Sequence, residues 1–262
     1  MNTVLNNLIS LLDEGAFGKA HEVLPISPFK WKVLYKLAVA EDVAPYMAKA
    51  IPAHENDRCL NMPDDIRLLF RQTTFTGKDG LSPGFDIDDI DSVNLNYAVK
   101  RYVLKDVVYK ERHSIDTSKV SLDLLALILQ NSGIILQHGI RLRGIVEIGM
   151  FLRSKGQYVD FVKLEGWIQR LKLNKMARLQ ASVLTDVFSL DADEFPYIKK
   201  TDKNARRLAE HSLKRAYRAN KLKRQTGKYS IANCMRFYRY SHSESICKAM
   251  SNISKSLSEI EE

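Results

Sequence analysis

The stretch from Ser118 to Phe195 reads SKVSLDLLALILQNSGIILQHGIRLRGIVEIGMFLRSKGQYVDFVKLEGWIQRLKLNKMARLQASVLTDVFSLDADEF. Its apolar residues recur at three- and four-residue spacing, the period of an amphipathic helix. Leu122, Leu125, Ala126 and Leu129 form the first stripe, with Asp116, Thr117 or Ser118 placed to cap the leading backbone N–H groups. Asn131-Ser132-Gly133 reads as the stop of that helix. A second helix is predicted from Ile140 to Ser154, with Ile145, Ile148 and Leu152 inward and Lys155-Gly156 closing it. Asp160 is placed to cap a third, striped by Phe161, Leu164, Ile168 and Leu171. Met176, Leu179, Val183, Leu184, Val187 and Phe188 form the stripe of a fourth. Stripes this wide bury against one another, so the segment predicts a packed helical array.

The same period extends to the N-terminal side. Leu5, Leu8, Ile9 and Leu12 form a stripe that Gly15 is read as ending. Phe29-Lys30-Trp31 opens a helix through Val33, Leu34, Leu37 and Ala38, and Val43-Ala44-Pro45 opens the next. Pro63-Asp64-Asp65 launches another over Ile66 to Gln72. From Thr73 to Ser92 the sequence turns to Gly, Asp, Ser and Thr, the composition of a loop. Beyond it, Val93, Leu95, Tyr97 and Val99 alternate with polar residues, and Tyr102 to Tyr109 is rich in β-branched and aromatic side chains. These are the strand candidates, although Lys105 and Asp106 break the alternation and a helix over Tyr97 to Arg112 fits nearly as well. The expected fold is therefore mainly α, a multi-helix array with at most a small β element around 93–110. Its parts are an N-terminal helical unit over 1–72, a loop and short core segment over 73–113, a helical array over 114–198, and a basic helix with tail over 199–262, the last two packing together.

Composition bounds the function classes. The 262 residues suffice for one large or two small domains, and 45% hydrophobic with 27% charged residues is ordinary for a globular protein. Cys59, Cys234 and Cys247 are odd in number and far apart, with no CxxC pair and no zinc spacing, so a reduced, cytoplasmic protein is expected. MNTVLNNLISLLDEG has no positive n-region and does not read as a signal peptide. The apolar run Leu122 to Leu129 is too short for a bilayer and holds Asp123, so no transmembrane span is expected.

The charge is concentrated. Between Tyr197 and Tyr240 stand fourteen Lys or Arg against Asp202 and Glu210, a balance of +12 in a chain whose total is +9; the remainder is therefore −3. Asp202 to Lys223 has no proline or glycine and predicts a helix capped by Thr201 or Asp202. Arg207, Lys214, Arg218 and Lys221 would share one face, with Lys223 and Arg224 just beyond, and Leu208, Ser212, Ala219 and Leu222 another. These six cations are the candidate site for an anionic partner, protein or nucleic acid, with Tyr229, Phe237, Tyr238 and Tyr240 placed to stack on bases. An amphipathic helix on an anionic membrane is disfavoured by the small apolar face.

One family resemblance accompanies this reading. Trp31 followed by Leu37-Ala38-Val39-Ala40-Glu41-Asp42-Val43-Ala44-Pro45-Tyr46 resembles an early helix of bacterial uncharacterised nucleotidyltransferase-like proteins of the DNA polymerase β superfamily. Gln137-His138-Gly139-Ile140-Arg141-Leu142, Glu147 to Leu152, Val159-Asp160-Phe161, Val187-Phe188, Phe195-Pro196 and Phe237-Tyr238-Arg239-Tyr240 resemble its helical part and tail. Activity there implies a Gly-Ser turn gripping a triphosphate and three strand-borne carboxylates holding two Mg²⁺ ions. Here the acids that fit are Asp86 and Asp88 (or Asp89 and Asp91), with Glu111 as the third. No Gly-Ser pair precedes them at a sensible distance, and only some forty residues separate Gln72 from His113, too few for the family's sheet. The expectation is a shortened, degenerate scaffold: a non-catalytic interaction or regulatory protein with no cofactor, whose basic helix meets an anionic partner. The alternatives are a small Mg-dependent nucleotidyltransferase using Asp86, Asp88 and Glu111 as metal ligands, and a nucleic-acid-binding protein. Gly77-Lys78 lacks the spacing and the following Ser or Thr of a phosphate loop, and no HExxH, GxSxG or calcium-loop pattern is present.

Overall fold

In the computed structural model, residues 2–54, 57–73, 95, 98–222 and 227–261 are described. Twelve α-helices and no strand occur among them, so the mainly-α class holds. The chain divides into two units, residues 1–78 with 214–222 and residues 79–213 with 223–262.

The first unit contains α1 (Asn2–Phe17), α2 (Pro28–Ala40), α3 (Ala44–Ala50) and α4 (Asp64–Arg71). Pro28 and Pro45 open α2 and α3 in the first helical turn, where a missing N–H costs nothing. Asp64 and Asp65 fill the first turn of α4, favourably placed against the helix dipole. Leu8, Leu11, Leu12, Trp31, Leu34 and Phe70 are fully buried, and the Trp31 indole donates to the Leu60 carbonyl at 2.8 Å. The connection after α1 is clamped by Asn7, whose side chain donates to the Leu24 carbonyl and accepts from the Leu24 amide at 2.7 and 3.0 Å. Gly15 does not end α1. The helix runs on to Phe17, and Gly15 lies where α1 meets the backbone of Tyr46 in α3.

The second unit is built around α6 (Lys119–His138), which packs against α7 (Leu142–Lys155), α8 (Phe161–Arg170), α9 (Asn174–Phe188), α11 (Gly227–Phe237) and α12 (His242–Glu261). The predicted stripes are the observed cores: Leu122, Leu125, Ala126 and Leu129 of α6, and Ile145, Ile148 and Leu152 of α7, are buried. Asp160 caps α8 as predicted, accepting from the Lys163 amide at 3.0 Å. Trp167 joins Leu164 and Ile168 on the buried face, while Phe161 is only half-buried.

Three local expectations resolve differently. Asn131-Ser132-Gly133 does not stop α6, because the core supplies partners for the Asn131 amide nitrogen and the Ser132 hydroxyl. Ser132 Oγ donates to the Ile128 carbonyl at 2.6 Å, and Gln180 of α9 accepts from Asn131 Nδ2 and donates to Ser132 Oγ at 2.8 Å. The helix ends instead at Gly139, whose φ of 88° favours a residue without Cβ. No side chain caps its start either: Thr117 Oγ1 donates to the Glu111 and Ser114 carbonyls, and Ser118 pairs with the Ser121 hydroxyl. The strand candidate at Tyr102 to Tyr109 lies wholly in a helix, α5 (Ala98–Arg112), which buries Leu104, Val107, Val108 and Glu111 at helical spacing. Val107 and Val108 face the core, and packing overrides their weak strand preference.

At 20 residues α6 is long and apolar enough to cross a bilayer by composition alone, yet 61% of its apolar window is buried inside the protein, as in a core helix.

Candidate anion-binding site

The concentrated positive charge is carried by α10 (Ala205–Leu222), α11 and the segment leading into them. Ala205, Ala209, Ser212 and Leu213 form the buried stripe of α10 within the second unit. Of the apolar face read from the sequence, Ser212 is buried and Leu208 half-buried. Ser212 Oγ donates to the Leu208 carbonyl at 2.9 Å and accepts from the Ile140 amide at 3.1 Å, tying α10 to the start of α7.

On the open side of this stripe lies a cleft of about 320 Å³, lined by Asn204, Arg207, Leu208, His211, Arg236, Arg239 and Tyr240. Arg207 donates to the Asn204 side-chain carbonyl at 2.9 Å, and neither Arg207 nor Arg236 pairs with a carboxylate among the described residues. Arg236 and Arg239 come together because α11 and its following turn bury Phe237 and Tyr240, three residues apart, and so turn the other two outward. Arg239 donates to the Tyr240 hydroxyl at 2.7 Å, with its guanidinium 4.8 Å from that ring's centroid.

Asp202 anchors the site from below. Its side chain is 5% exposed, its Oδ1 accepts from the Asn204 amide at 2.9 Å, and its oxygens lie 3.8 Å from Arg239 and 4.0 Å from Arg178. Burial pushes this carboxyl up, but the Asn204 backbone, the Tyr240 hydroxyl, the Asn204 amide and Arg239 outweigh it and hold the group below the usual carboxylate value. The Tyr240 hydroxyl is pushed up, chiefly by burial. The helix itself begins at Ala205, three residues after this acid.

A second cleft of about 320 Å³ lies in the same unit, with Lys175, Arg178, Lys199 and Lys200 among its walls together with Glu165 and Tyr197. Glu165 is engaged by Lys199 at 3.3 Å, while Lys175 and Lys200 pair with no acid among the described residues.

Of the six predicted anion-binding residues, Arg207 lines the first cleft. Lys214 and Arg218 belong to the first unit, where Lys214 lines an apolar groove of about 250 Å³ with Leu5, Phe29 and Tyr217. Arg218 is exposed, and the side chain of Lys221 and residues Lys223 and Arg224 lie outside the described residues. The residues of that face are thus divided between the units, Arg207 in the second and Lys214 and Arg218 in the first. Arg236, Arg239, Asn204 and His211 were not singled out by the sequence reading. The signal that finds the arginines is their three-residue offset from each other, in antiphase with Phe237 and Tyr240. Those two rings, expected to stack on bases, are 0% and 3% exposed and belong to the core. Tyr238 is half-exposed and meets the His242 ring edge-on at 4.5 Å, and the side chain of Tyr229 lies outside the described residues.

Asp86, Asp88, Asp89 and Asp91 lie outside the described residues. Glu111 stands on helix α5, 6% exposed, and its Oε1 accepts from the Ser118 amide at 2.7 Å and from Lys163 at 2.9 Å. It thus joins the end of α5 to the starts of α6 and α8, and its hydrogen bond holds the Lys163 ammonium above its usual value. Glu111→Ala leaves the part-buried Ser118 amide without this acceptor, while Lys163 keeps Asp116 beside it, and is expected to cost about 1–2 kcal/mol. Glu111→Gln, which retains an acceptor, should recover part of that loss in chemical denaturation; equal losses would show that the pairing does not stabilise the junction. No group of three or more His, Cys, Asp or Glu able to hold a metal ion occurs among the described residues. Comparison of the chain with family models, with curated proteins and with solved structures finds no match.

Proposed function

We propose that this protein is a non-catalytic binding protein, on a scaffold whose helical wording resembles nucleotidyltransferases, and that its basic clefts in the second unit take an anionic partner. The observation that carries this reading is the concave grouping of Arg207, Arg236 and Arg239, two of them without a carboxylate partner among the described residues. Unbalanced guanidinium groups on a concave surface suit phosphate or carboxylate groups, which arginine can bind in a bidentate fork. Asp202 offsets only part of the charge and serves to position Asn204 and Arg239. The position of Glu111 on helix α5, paired through Oε1 with Lys163 and the Ser118 amide at a helix junction, supports the non-catalytic half of the proposal, since the residue there has a structural role.

The test is a titration of the purified protein with pyrophosphate, a nucleoside triphosphate, an oligonucleotide and an acidic peptide at low salt, beside an Arg207→Ala/Arg236→Ala variant. At least one of these anions is expected to bind, and the variant to lose roughly tenfold in affinity, about 1.4 kcal/mol. Binding that the variant leaves unchanged would remove this cleft as the site.

A further inference from the structure

We infer that the two basic clefts of the second unit form one track for a single-stranded nucleic acid held by its phosphates, an inference that rests on the anion-binding reading above. Asp202 links the two clefts. The carboxylate of Asp202 is 4.0 Å from Arg178, which lines one, and 3.8 Å from Arg239, which lines the other. The same short run of chain serves both, Tyr197 to Lys200 on one side and Asn204 to His211 on the other.

Each cleft also has cations to spare. Lys175 and Lys200 in one, and Arg207 and Arg236 in the other, pair with no acid among the described residues. The acids present are already committed, Glu165 to Lys199 and Asp202 to the groups around it. A small anion fills one such cleft and leaves its neighbour's charge unanswered. A chain of evenly spaced monoanions with free backbone torsions answers both.

Single strands fit better than duplexes on shape. The walls are concave and pocket-sized, whereas a duplex presents a stiff cylinder whose phosphates cannot follow them. The rings of Tyr197 and Tyr240 in the cleft walls are buried, so base stacking contributes little and binding is carried by charge. Affinity should accordingly depend on strand length and salt more than on base sequence.

The experiment is fluorescence anisotropy of a labelled twelve-nucleotide thymidylate strand over a salt series, with wild type, Lys175→Ala/Lys200→Ala and Arg207→Ala/Arg236→Ala. Circular dichroism confirms that each variant is folded. Both variants are expected to lose roughly tenfold or more in affinity at low salt, and each to lower the slope of log K against log salt by about 1.4, the value for two lost phosphate contacts on a single strand. A duplex of the same length should bind more weakly. Strand binding that needs Arg207 and Arg236 but ignores Lys175 and Lys200 would overturn the track and leave the anion-binding proposal standing. Equal or tighter duplex binding would overturn the assignment of a single strand. If the strand does not bind wild type, the track falls; if pyrophosphate, the nucleoside triphosphate and the acidic peptide fail as well, the anion-binding proposal falls with it.

Discussion

Gly15→Ala is expected to destabilise the first unit by about 3 kcal/mol, the upper part of the range for overpacking a well-filled contact. In an exposed helix the same change stabilises by about 1 kcal/mol, because alanine has the higher helix propensity. Gly15 lies inside α1, but a Cβ there would come within 2.0 Å of the Tyr46 carbonyl oxygen and 2.8 Å of its carbon. Both are backbone atoms at the start of α3, so no rotamer change relieves the clash. Either the two helices separate or the helix backbone distorts, and each exposes part of the Leu8, Leu12 and Met47 core. Gly166 provides the control. It stands in the middle of α8 with nothing within 4 Å of its would-be Cβ, so Gly166→Ala should raise stability by about 0.5–1 kcal/mol. Chemical denaturation of both variants checks the pair. Gly15→Ala at or above wild-type stability would mean that α1 and α3 do not cross where the structure places them.

Asp202→Asn is expected to move stability and anion affinity in opposite directions. The carboxylate is buried and accepts from the Asn204 amide, with the Tyr240 hydroxyl, Arg239 and Arg178 around it. Asparagine keeps the shape and one acceptor but loses the charge on those hydrogen bonds, a loss of about 1.5–3 kcal/mol at neutral pH. The sign of the pH dependence follows from the lowered carboxyl. A group held below its unfolded value, about 3.9 for Asp, contributes stability that is complete above that value and vanishes as pH falls through the folded one. The gap between wild type and Asp202→Asn in denaturation midpoint should therefore be full at pH 7 and close under acid conditions. Meanwhile the variant removes the buried negative charge between Arg178 and Arg239, so low-salt binding of phosphate-bearing ligands should tighten. A gap that persists in acid would show that the charge is not what stabilises this junction, and weaker binding would show that Asp202 matters more as a positioner than as a counter-charge.

The elements legible in the sequence were those set by interactions a few residues long. The stripes of α6, α7 and α9 and the Asp160 cap of α8 depend on spacing within a single turn or two, and so did the reading that Val43-Ala44-Pro45 opens a helix. The concentration of charge between Tyr197 and Tyr240 was legible for the same reason: it is a property of order along the chain.

Where the reading departed from the structure, a distant partner decided. Gly15 reads as a terminator until α3 is brought against it, when it becomes the residue that lets two backbones meet. Asn131 and Ser132 read as a break until Gln180, from another helix, receives and returns their hydrogen bonds in the core. Tyr102 to Tyr109 fits a strand or a helix locally, and the burial of Leu104, Val107 and Val108 on one side selects the helix. The arginines of the first cleft stand some thirty residues apart in the sequence, and only the folded chain brings Arg236 and Arg239 to Arg207 on α10. Local order and total charge are written in neighbouring residues. Which groups share a cleft, and which polar side chains find partners in the core, are set by contacts between segments that only the folded chain brings together.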